Sequence, residues 1–157
     1  MAGPSAERTL GRLDRPRVLL IDPDRQTRSA LLAALAEAGC EVVAALRTGM
    51  AAEYAVRQHR PTVIVLDLDL AAGGPRAGLL LIASLAEEAP RIPLLVMARP
   101  DLLTEEVAER ARRAGAGRLL AKPDRAEVVT AVLSEHDTLL QAAYPTGGGR
   151  RGHPSSG

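Results

Sequence analysis

Several charged residues of this chain come directly after apolar runs, where a parallel sheet would place them at its carboxyl edge. Asp22 and Asp24 follow the first run, Asp67 ends a second, and Lys122 follows the last. Two carboxylates held close together bind Mg²⁺, which takes one or two of them plus waters and phosphate oxygens. A carboxylate also accepts a phosphoryl group as a nucleophile, and a lysine opposite it pairs with a phosphoryl oxygen. The residue types therefore point to phosphoryl chemistry.

Short apolar runs alternate five times with stretches of helical periodicity, and these elements must position the charged residues. Such alternation with short connections calls for a doubly wound α/β fold, a five-stranded parallel sheet with helices on both faces. Ligands bind such sheets at the carboxyl ends of the strands. The predicted strands are 17–22, 40–46, 62–67, 92–97 and 118–121; the predicted helices are 25–38, 50–59, 79–89, 104–114 and one that starts after Asp124.

Composition narrows the class of protein. The 157 residues suit one domain, and the single cysteine, Cys40, excludes a disulfide framework and a cysteine-based metal cluster. Only two aromatic residues are present, so stacked recognition of single-stranded nucleic acid is excluded. No apolar run is long enough to span a bilayer, and the N-terminus lacks the apolar stretch of a signal peptide. We expect a cytoplasmic protein without direct contact to nucleic acid or membrane.

Both ends of the chain differ in composition from its middle. Residues 1–16 and 143–157 are rich in Gly, Pro, Ser and Arg and carry almost nothing to bury, which predicts disordered basic tails. The folded domain is expected over residues 17–142.

Four segments, in this order, resemble the receiver domain of two-component response regulators, and the likeness covers Val18 to Ala142. The resemblance implies the (βα)5 flavodoxin-like, or CheY-like, receiver fold. It also implies a signalling role in a phosphorelay rather than catalysis. The segments that carry it are Val18–Arg28, Pro61–Leu70, Pro93–Met97 and Ala114–Pro123.

The resemblance also assigns roles to the charged residues. Asp67 falls on the phosphoacceptor of the family, and Lys122 on the lysine that contacts the phosphoryl group. The implied Mg²⁺ ligands are Asp22, Asp67 and the backbone carbonyl of Asp69. Asp24 is a candidate further ligand, but the N-cap of the first helix is the favoured interpretation of its position.

Three positions depart from the family pattern. Pro23 stands where a second acid normally binds Mg²⁺, Ala98 where a hydroxyl binds the phosphoryl group, and Leu119 where an aromatic switch residue is found. We therefore expect a phosphodonor, or beryllofluoride with Mg²⁺, to act weakly or not at all. Arg99 either supplies charge to the site or is a solvated loop residue. Pro123 is expected in the cis form that the family usually shows.

The resemblance implies partners as well. The helix 104–114, the strand 118–121 and the last helix form the face that such domains commonly use. We expect contact with a sensor histidine kinase or another signalling protein, and a homodimer through the last two helices is a further expectation. Because the sequence ends within 15 residues of the last predicted helix, we expect no DNA-binding domain, and direct transcriptional control is expected to need a partner.

Two other functions remain open. A pseudo-receiver would bind a protein or small ligand without phosphorylation. Asp67-Leu-Asp69 also imitates the signature of haloacid-dehalogenase-type phosphatases, which are Mg²⁺-dependent, but that family needs the motif on its first strand and a later acidic pair.

The remaining candidate residues have structural interpretations. His59 and His136 are expected at the surface, and Cys40 is expected to be a small core residue. Asp124 is expected to cap the last helix in a capping box with Glu127.

Overall fold

The structure is a computed structural model that describes residues 14–70, 73–122 and 124–145. Most of both predicted tails, residues 1–13 and 146–157, lies outside this part of the chain. Pro123, for which a cis bond was expected, lies outside it too. Within the described ranges, no helix combines the length and apolar character needed to cross a bilayer.

Five parallel strands form one sheet in the order β2-β1-β3-β4-β5. β3 and β4 are buried along their whole length because helices cover both faces of the sheet, so their sequences are continuously apolar up to Asp67 and Ala98. The doubly wound five-stranded fold predicted from the sequence is confirmed. The strands are β1 (Arg17–Ile21), β2 (Glu41–Leu46), β3 (Val63–Asp67), β4 (Leu94–Ala98) and β5 (Arg118–Ala121).

Five α-helices connect the strands and cover the sheet in two layers. Alternate residues of each strand point to opposite layers: in β1, Leu19 packs in the core with α2, α3 and α4, whereas Leu20 packs in the core with α1 and α5. A short 3-10 turn, Pro100–Leu102, follows β4. The helices are α1 (Arg25–Glu37), α2 (Ala52–His59), α3 (Gly74–Glu88), α4 (Glu105–Ala114) and α5 (Arg125–Ala143).

Helix α3 begins earlier than predicted, at Gly74 instead of about Leu79. Pro75 lies in its first turn, where a missing N–H is tolerated. Gly78 lies inside the helix because the backbone there passes close to Leu68: a Cβ on Gly78 would be 2.0 Å from the Leu68 carbonyl oxygen. Gly78 therefore serves the contact between α3 and the segment after β3.

His136 is buried, with 7% of its surface exposed, so the prediction of a surface residue was wrong. It follows Val128 and Val132 at four-residue steps and continues the apolar stripe of α5 into the core. Neither ring nitrogen has a hydrogen-bond partner in the described part of the chain. His59 is exposed and Cys40 is buried, as predicted.

The start of α5 shows half of the predicted capping box. The Asp124 carboxylate accepts a hydrogen bond from the Glu127 N–H at 3.0 Å. The Asp124 N–H, however, donates to the Ala121 carbonyl at 3.2 Å, so the Glu127 side chain is not needed as its acceptor. The cap prediction is confirmed and the reciprocal bond is replaced by a turn.

Candidate functional site

The carboxyl edge of the sheet brings together the three charged residues singled out from the sequence. Asp22 directly follows β1, Asp67 ends β3, and Lys122 directly follows β5. β4 lies between β3 and β5, and neighbouring strands are about 4.8 Å apart, so only a long side chain reaches from β5 to β3. Lys122 spans that distance over the small side chain at the end of β4, Ala98.

The Lys122 ammonium lies between the two carboxylates. Its Nζ is 2.5 Å from Asp67 Oδ2 and 3.0 Å from both carboxylate oxygens of Asp22. The two aspartates are almost completely buried, at 4% and 0% exposure. These three residues, called here the charged cluster, therefore form a buried group of two carboxylates for one ammonium.

Backbone N–H groups satisfy further oxygens of the charged cluster. Asp22 Oδ1 accepts from the Asp24 N–H at 2.8 Å, and Asp67 Oδ1 accepts from the Asp69 N–H at 3.0 Å. Each carboxylate therefore binds the backbone two residues on, the short-range turn that aspartate favours after a strand. The Lys122 hydrogen bond goes to Asp22 Oδ1, whereas the buried Oδ2 has only the ion-pair contact with Lys122 and no hydrogen-bond partner in the described part of the chain.

Burial raises the pKa of Asp67 above its ordinary value, although hydrogen bonds from Lys122 and the Asp69 N–H act in the opposite direction. Burial also opposes the charge of Lys122, but its bonds to Asp67 and Asp22 outweigh that effect and raise the pKa of the ammonium. Both pKa values are raised, so the buried cluster, which has two carboxylates for one ammonium, holds its protons more tightly than the free groups do.

Replacing Asp67 with asparagine is expected to stabilise the fold by about 1 kcal/mol at neutral pH, because one carboxylate and one ammonium then remain. A raised folded-state pKa contributes stability that is complete below the ordinary carboxyl pKa and is lost as pH rises through the folded value. The gain in D67N should therefore disappear on acidification. Urea denaturation at neutral pH and at a pH below the ordinary carboxyl pKa measures the gain in stability, with D69N as the control. An equal gain at both would contradict an origin in the charge of Asp67.

Asp24 is the N-cap of α1, the favoured interpretation of its position. Its Oδ2 accepts a hydrogen bond from the Thr27 N–H at 3.1 Å and another from the Thr27 hydroxyl. The hydroxyl and then the N–H of Thr27 lower the pKa of Asp24, so this carboxylate is ionised at the start of the helix. Its Oδ2 is thus already engaged in ordering the loop beside the charged cluster.

A cleft of about 540 Å³ opens above the charged cluster. Asp67 and Lys122 line it, together with Pro23, which offers no side-chain oxygen. Ala98, completely buried at the end of β4, presents only a methyl group. Of the charged cluster, the Asp67 carboxylate and the Lys122 ammonium therefore face the cleft, whereas the end of β4 supplies no hydroxyl.

Two side chains at the mouth of the cleft carry further charge. Arg99 lies next to Ala98, and its Nε is 3.6 Å from Asp101 Oδ1, with both side chains mostly exposed. Arg99 was a candidate site residue from the sequence. Asp101 and Thr27 were not, although they also line the cleft. The position of Thr27 could have been predicted from the sequence, because it follows the N-cap Asp24 by three residues, where a capping side chain binds the backbone N–H.

The oxygen donors of the site match part of what Mg²⁺ requires. The buried oxygen Asp22 Oδ2, which accepts no hydrogen bond among the described residues, and the carboxylate of Asp67 are hard ligands of the kind Mg²⁺ prefers. Lys122 contacts these same carboxylates. In the ranges that the structure describes, no three His, Cys, Asp or Glu side chains form a group that could hold a metal ion. The two carboxylates are therefore a donor set that fits Mg²⁺ when waters complete its coordination.

Comparison with known proteins agrees with this geometry. Residues 18–133 match the family described as response regulator receiver domain. The receiver domain of AraT, a response regulator from Geobacillus stearothermophilus, shares 25% identity at a TM-score of 0.70, over 82% of this chain and 98% of that one. The signal receiver domain of the putative response regulator NarL from Mycobacterium tuberculosis shares 26% identity at a TM-score of 0.69, over 78% of this chain and 97% of that one.

A curated relative is much longer than the chain. The protein-glutamate methylesterase/protein-glutamine glutaminase 2 of Anaeromyxobacter dehalogenans is 34% identical over 131 residues, which are 82% of this chain but 36% of that protein. The chain thus spans about a third of the length of the curated relatives it matches. The family match over residues 18–133 includes the charged cluster and its sheet from Val18 onward.

Proposed function

This chain belongs to the response regulator receiver domain family of two-component signal transduction, and from that premise we propose that it works through contacts with other proteins and not as an enzyme. The observation that carries the proposal is the buried charged cluster, Asp22, Lys122 and Asp67, beneath an open cleft. In this arrangement the carboxylate that contacts Lys122 and also lines the cleft, Asp67, is the one available for modification.

Asp67 is the proposed phosphoacceptor, because its carboxylate both lines the cleft and contacts Lys122. In the modification, an Asp67 oxygen attacks the phosphorus of a phosphodonor, such as the phosphohistidine of a sensor kinase. The bond from phosphorus to the donor's leaving group breaks, and an acyl phosphate forms. Lys122 pairs with a phosphoryl oxygen as a point charge.

Phosphorylation of Asp67 is proposed to be slow in this chain. Both oxygens of the acceptor are engaged, one by Lys122 and one by the Asp69 N–H. Pro23 and Ala98 supply neither a metal-binding oxygen nor a hydroxyl to the incoming group. When bound, Mg²⁺ would neutralise charge on the phosphoryl oxygens, and the carboxylates of Asp22 and Asp67 with the carbonyl of Asp69 would hold it.

The second candidate function is a pseudo-receiver whose contacts do not depend on phosphorylation. The observation in its favour is the pair of apolar residues on the route from the site to the α4–β5–α5 face. Ala98 is a buried methyl group, and Leu119 packs as an aliphatic side chain against the core. Neither has a hydroxyl or ring that would follow a phosphoryl group.

Two further features belong to the proposal. A cytoplasmic location is supported by the unpaired, buried Cys40, since free thiols are typical of reducing compartments. We also propose residues 17–142 as the folded unit, which agrees with an α5 that extends to Ala143.

Restoring the absent groups tests the site directly. With a small phosphodonor and Mg²⁺, the unaltered chain is expected to be modified slowly. The double variant P23D/A98T should be modified at least about tenfold faster, because one charge-assisted hydrogen bond contributes about 1.5–3 kcal/mol. Intact-mass measurement over time follows addition of one phosphoryl group.

The control for this experiment is the triple variant P23D/A98T/D67N, which should take up no phosphoryl group. Rapid stoichiometric modification of the unaltered chain would overturn slow phosphorylation, and equal rates in chain and double variant would show that Pro23 and Ala98 are not its cause. Hydrolysis of a generic phosphomonoester would favour the phosphatase alternative.

A further inference from the structure

Three of the five large exposed apolar side chains of the described residues lie away from the face that receiver domains commonly use, and the other two are Leu133 on α5 and Tyr144 directly after it. Met50, before α2, is 96% exposed, and Leu80, on α3, is 64% exposed, whereas Leu133 on α5 is 36% exposed. Tyr54 on α2 is exposed as well. Exposed apolar groups that cluster on one side of a domain mark a contact surface.

Met50 and Leu80 line the same groove, of about 580 Å³, between the loop that precedes α2 and the outer side of α3. We call it the α2–α3 groove. Leu70 and Leu81 are half-buried at its wall. The loop lies tightly on α3 because Gly49 has no side chain: a Cβ there would be 2.9 Å from a methyl group of Leu81.

Charges around the α2–α3 groove favour an acidic partner. Arg47 lines the groove, and Arg76 precedes Leu80 by one helical turn on α3; both are exposed, and neither has an ion-pair partner among the described residues. The one acidic residue of the lining, Glu53, accepts a hydrogen bond from the Ser84 hydroxyl. Two guanidinium groups against one carboxylate give this surface a net positive charge for a partner to neutralise.

The helix α4 offers a contrasting surface. Four of its six exposed charges are paired within the helix, Glu106 with Arg110 at 3.0 Å and Glu109 with Arg113 at 2.7 Å. Its helical side chains are mostly charged, and none of the large exposed apolar residues lies on it. The three Glu and three Arg of α4 thus balance in charge, whereas the surface beside the α2–α3 groove is net positive.

We propose that the α2–α3 groove binds an amphipathic helix of a partner protein, with apolar side chains at one-turn spacing and acidic residues beside them. Helix-in-groove recognition uses this pattern of anchors. A second copy of the chain is disfavoured, because a two-fold pairing through this groove brings Arg47 and Arg76 of one copy toward the same cations of the other. The inference rests on the proposed action through protein contact, but not on phosphorylation.

The test uses a stapled helical peptide with leucines along one face and glutamates at their flanks, and a twin in which lysine replaces each glutamate. Fluorescence anisotropy should show saturable binding of the acidic peptide to the full chain, and roughly tenfold weaker binding of the basic twin. Amide shifts should fall in residues 47–53 and 77–84. The variant L80A should lose roughly tenfold in affinity, whereas Y144A, at another exposed site, should not.

Charge reversal makes the result specific. The double variant R47E/R76E should prefer the basic twin. Saturable binding with this reversal supports the proposal; no saturable binding, shifts on α4 and α5, or a concentration-dependent dimer that L80A abolishes would each overturn it. Since no phosphodonor is present, failure here leaves the result of the P23D/A98T experiment unaffected, and the two proposals are distinguishable.

Discussion

Replacing Lys122 with methionine is expected to lower the free energy of unfolding by about 3–5 kcal/mol at neutral pH, because it leaves two buried carboxylates without their cation. Methionine keeps most of the side-chain volume, so the loss reports charge and not a cavity. Urea denaturation measures the effect, which should be among the largest for any residue of the site.

The pH dependence of K122M identifies its cause. Without the ammonium, the folded-state pKa of Asp67 moves further above its unfolded value, and such a group contributes stability that returns as pH falls. The deficit should therefore shrink on acidification. In the D67N background, where one carboxylate is left, the same substitution should have a smaller effect. A deficit that is constant with pH and background would refute the electrostatic explanation.

Alanine at position 78 is expected to destabilise the fold by about 3 kcal/mol, although alanine is the better helix former by about 1 kcal/mol. Its Cβ would lie 2.0 Å from the carbonyl oxygen of Leu68, which is backbone and cannot rotate away. Since Leu68 directly follows Asp67, a shift of the Leu68 backbone also moves the carboxylate of Asp67, the proposed phosphoacceptor. Thermal or urea unfolding gives the magnitude.

Gly39→Ala is the matched control. Gly39 has φ +84° and nothing within 4 Å of an added Cβ, so alanine there meets backbone strain without a clash, and the expected loss is about 1 kcal/mol. A loss in G78A no larger than in G39A would mean that α3 can move away from Leu68 at little cost. Amide shifts around Asp67 should change in G78A and not in G39A.

The sequence predicted the fold and the residues of the charged cluster because both depend on local pattern and topology. Asp22, Asp67 and Lys122 each follow an apolar strand, and parallel strands share one carboxyl edge, so their approach did not require side-chain coordinates. The protonation of the cluster did require them. It depends on how completely burial removes water from Asp67, which no spacing of residues reveals.

Other features escaped the sequence for a common reason. The early start of α3 depends on a contact between Gly78 and Leu68, ten residues apart, and the burial of His136 depends on which side of α5 meets the sheet. The α2–α3 groove joins Met50 to Leu80 across two elements. In each case a contact between residues distant in the sequence determined the outcome, which the residue type and its neighbours in the sequence did not reveal.

Lys122 is the only lysine in the 157 residues, and it is enclosed by carboxylates. Its ε-amine is a nucleophile only when it sheds the proton that the charged cluster retains. Acylating reagents, and lysine acetylation as a regulatory modification, would therefore find a single side-chain amine in this chain, and would have to open the site to reach it. The rate at which Lys122 is acylated therefore measures how often the charged cluster opens.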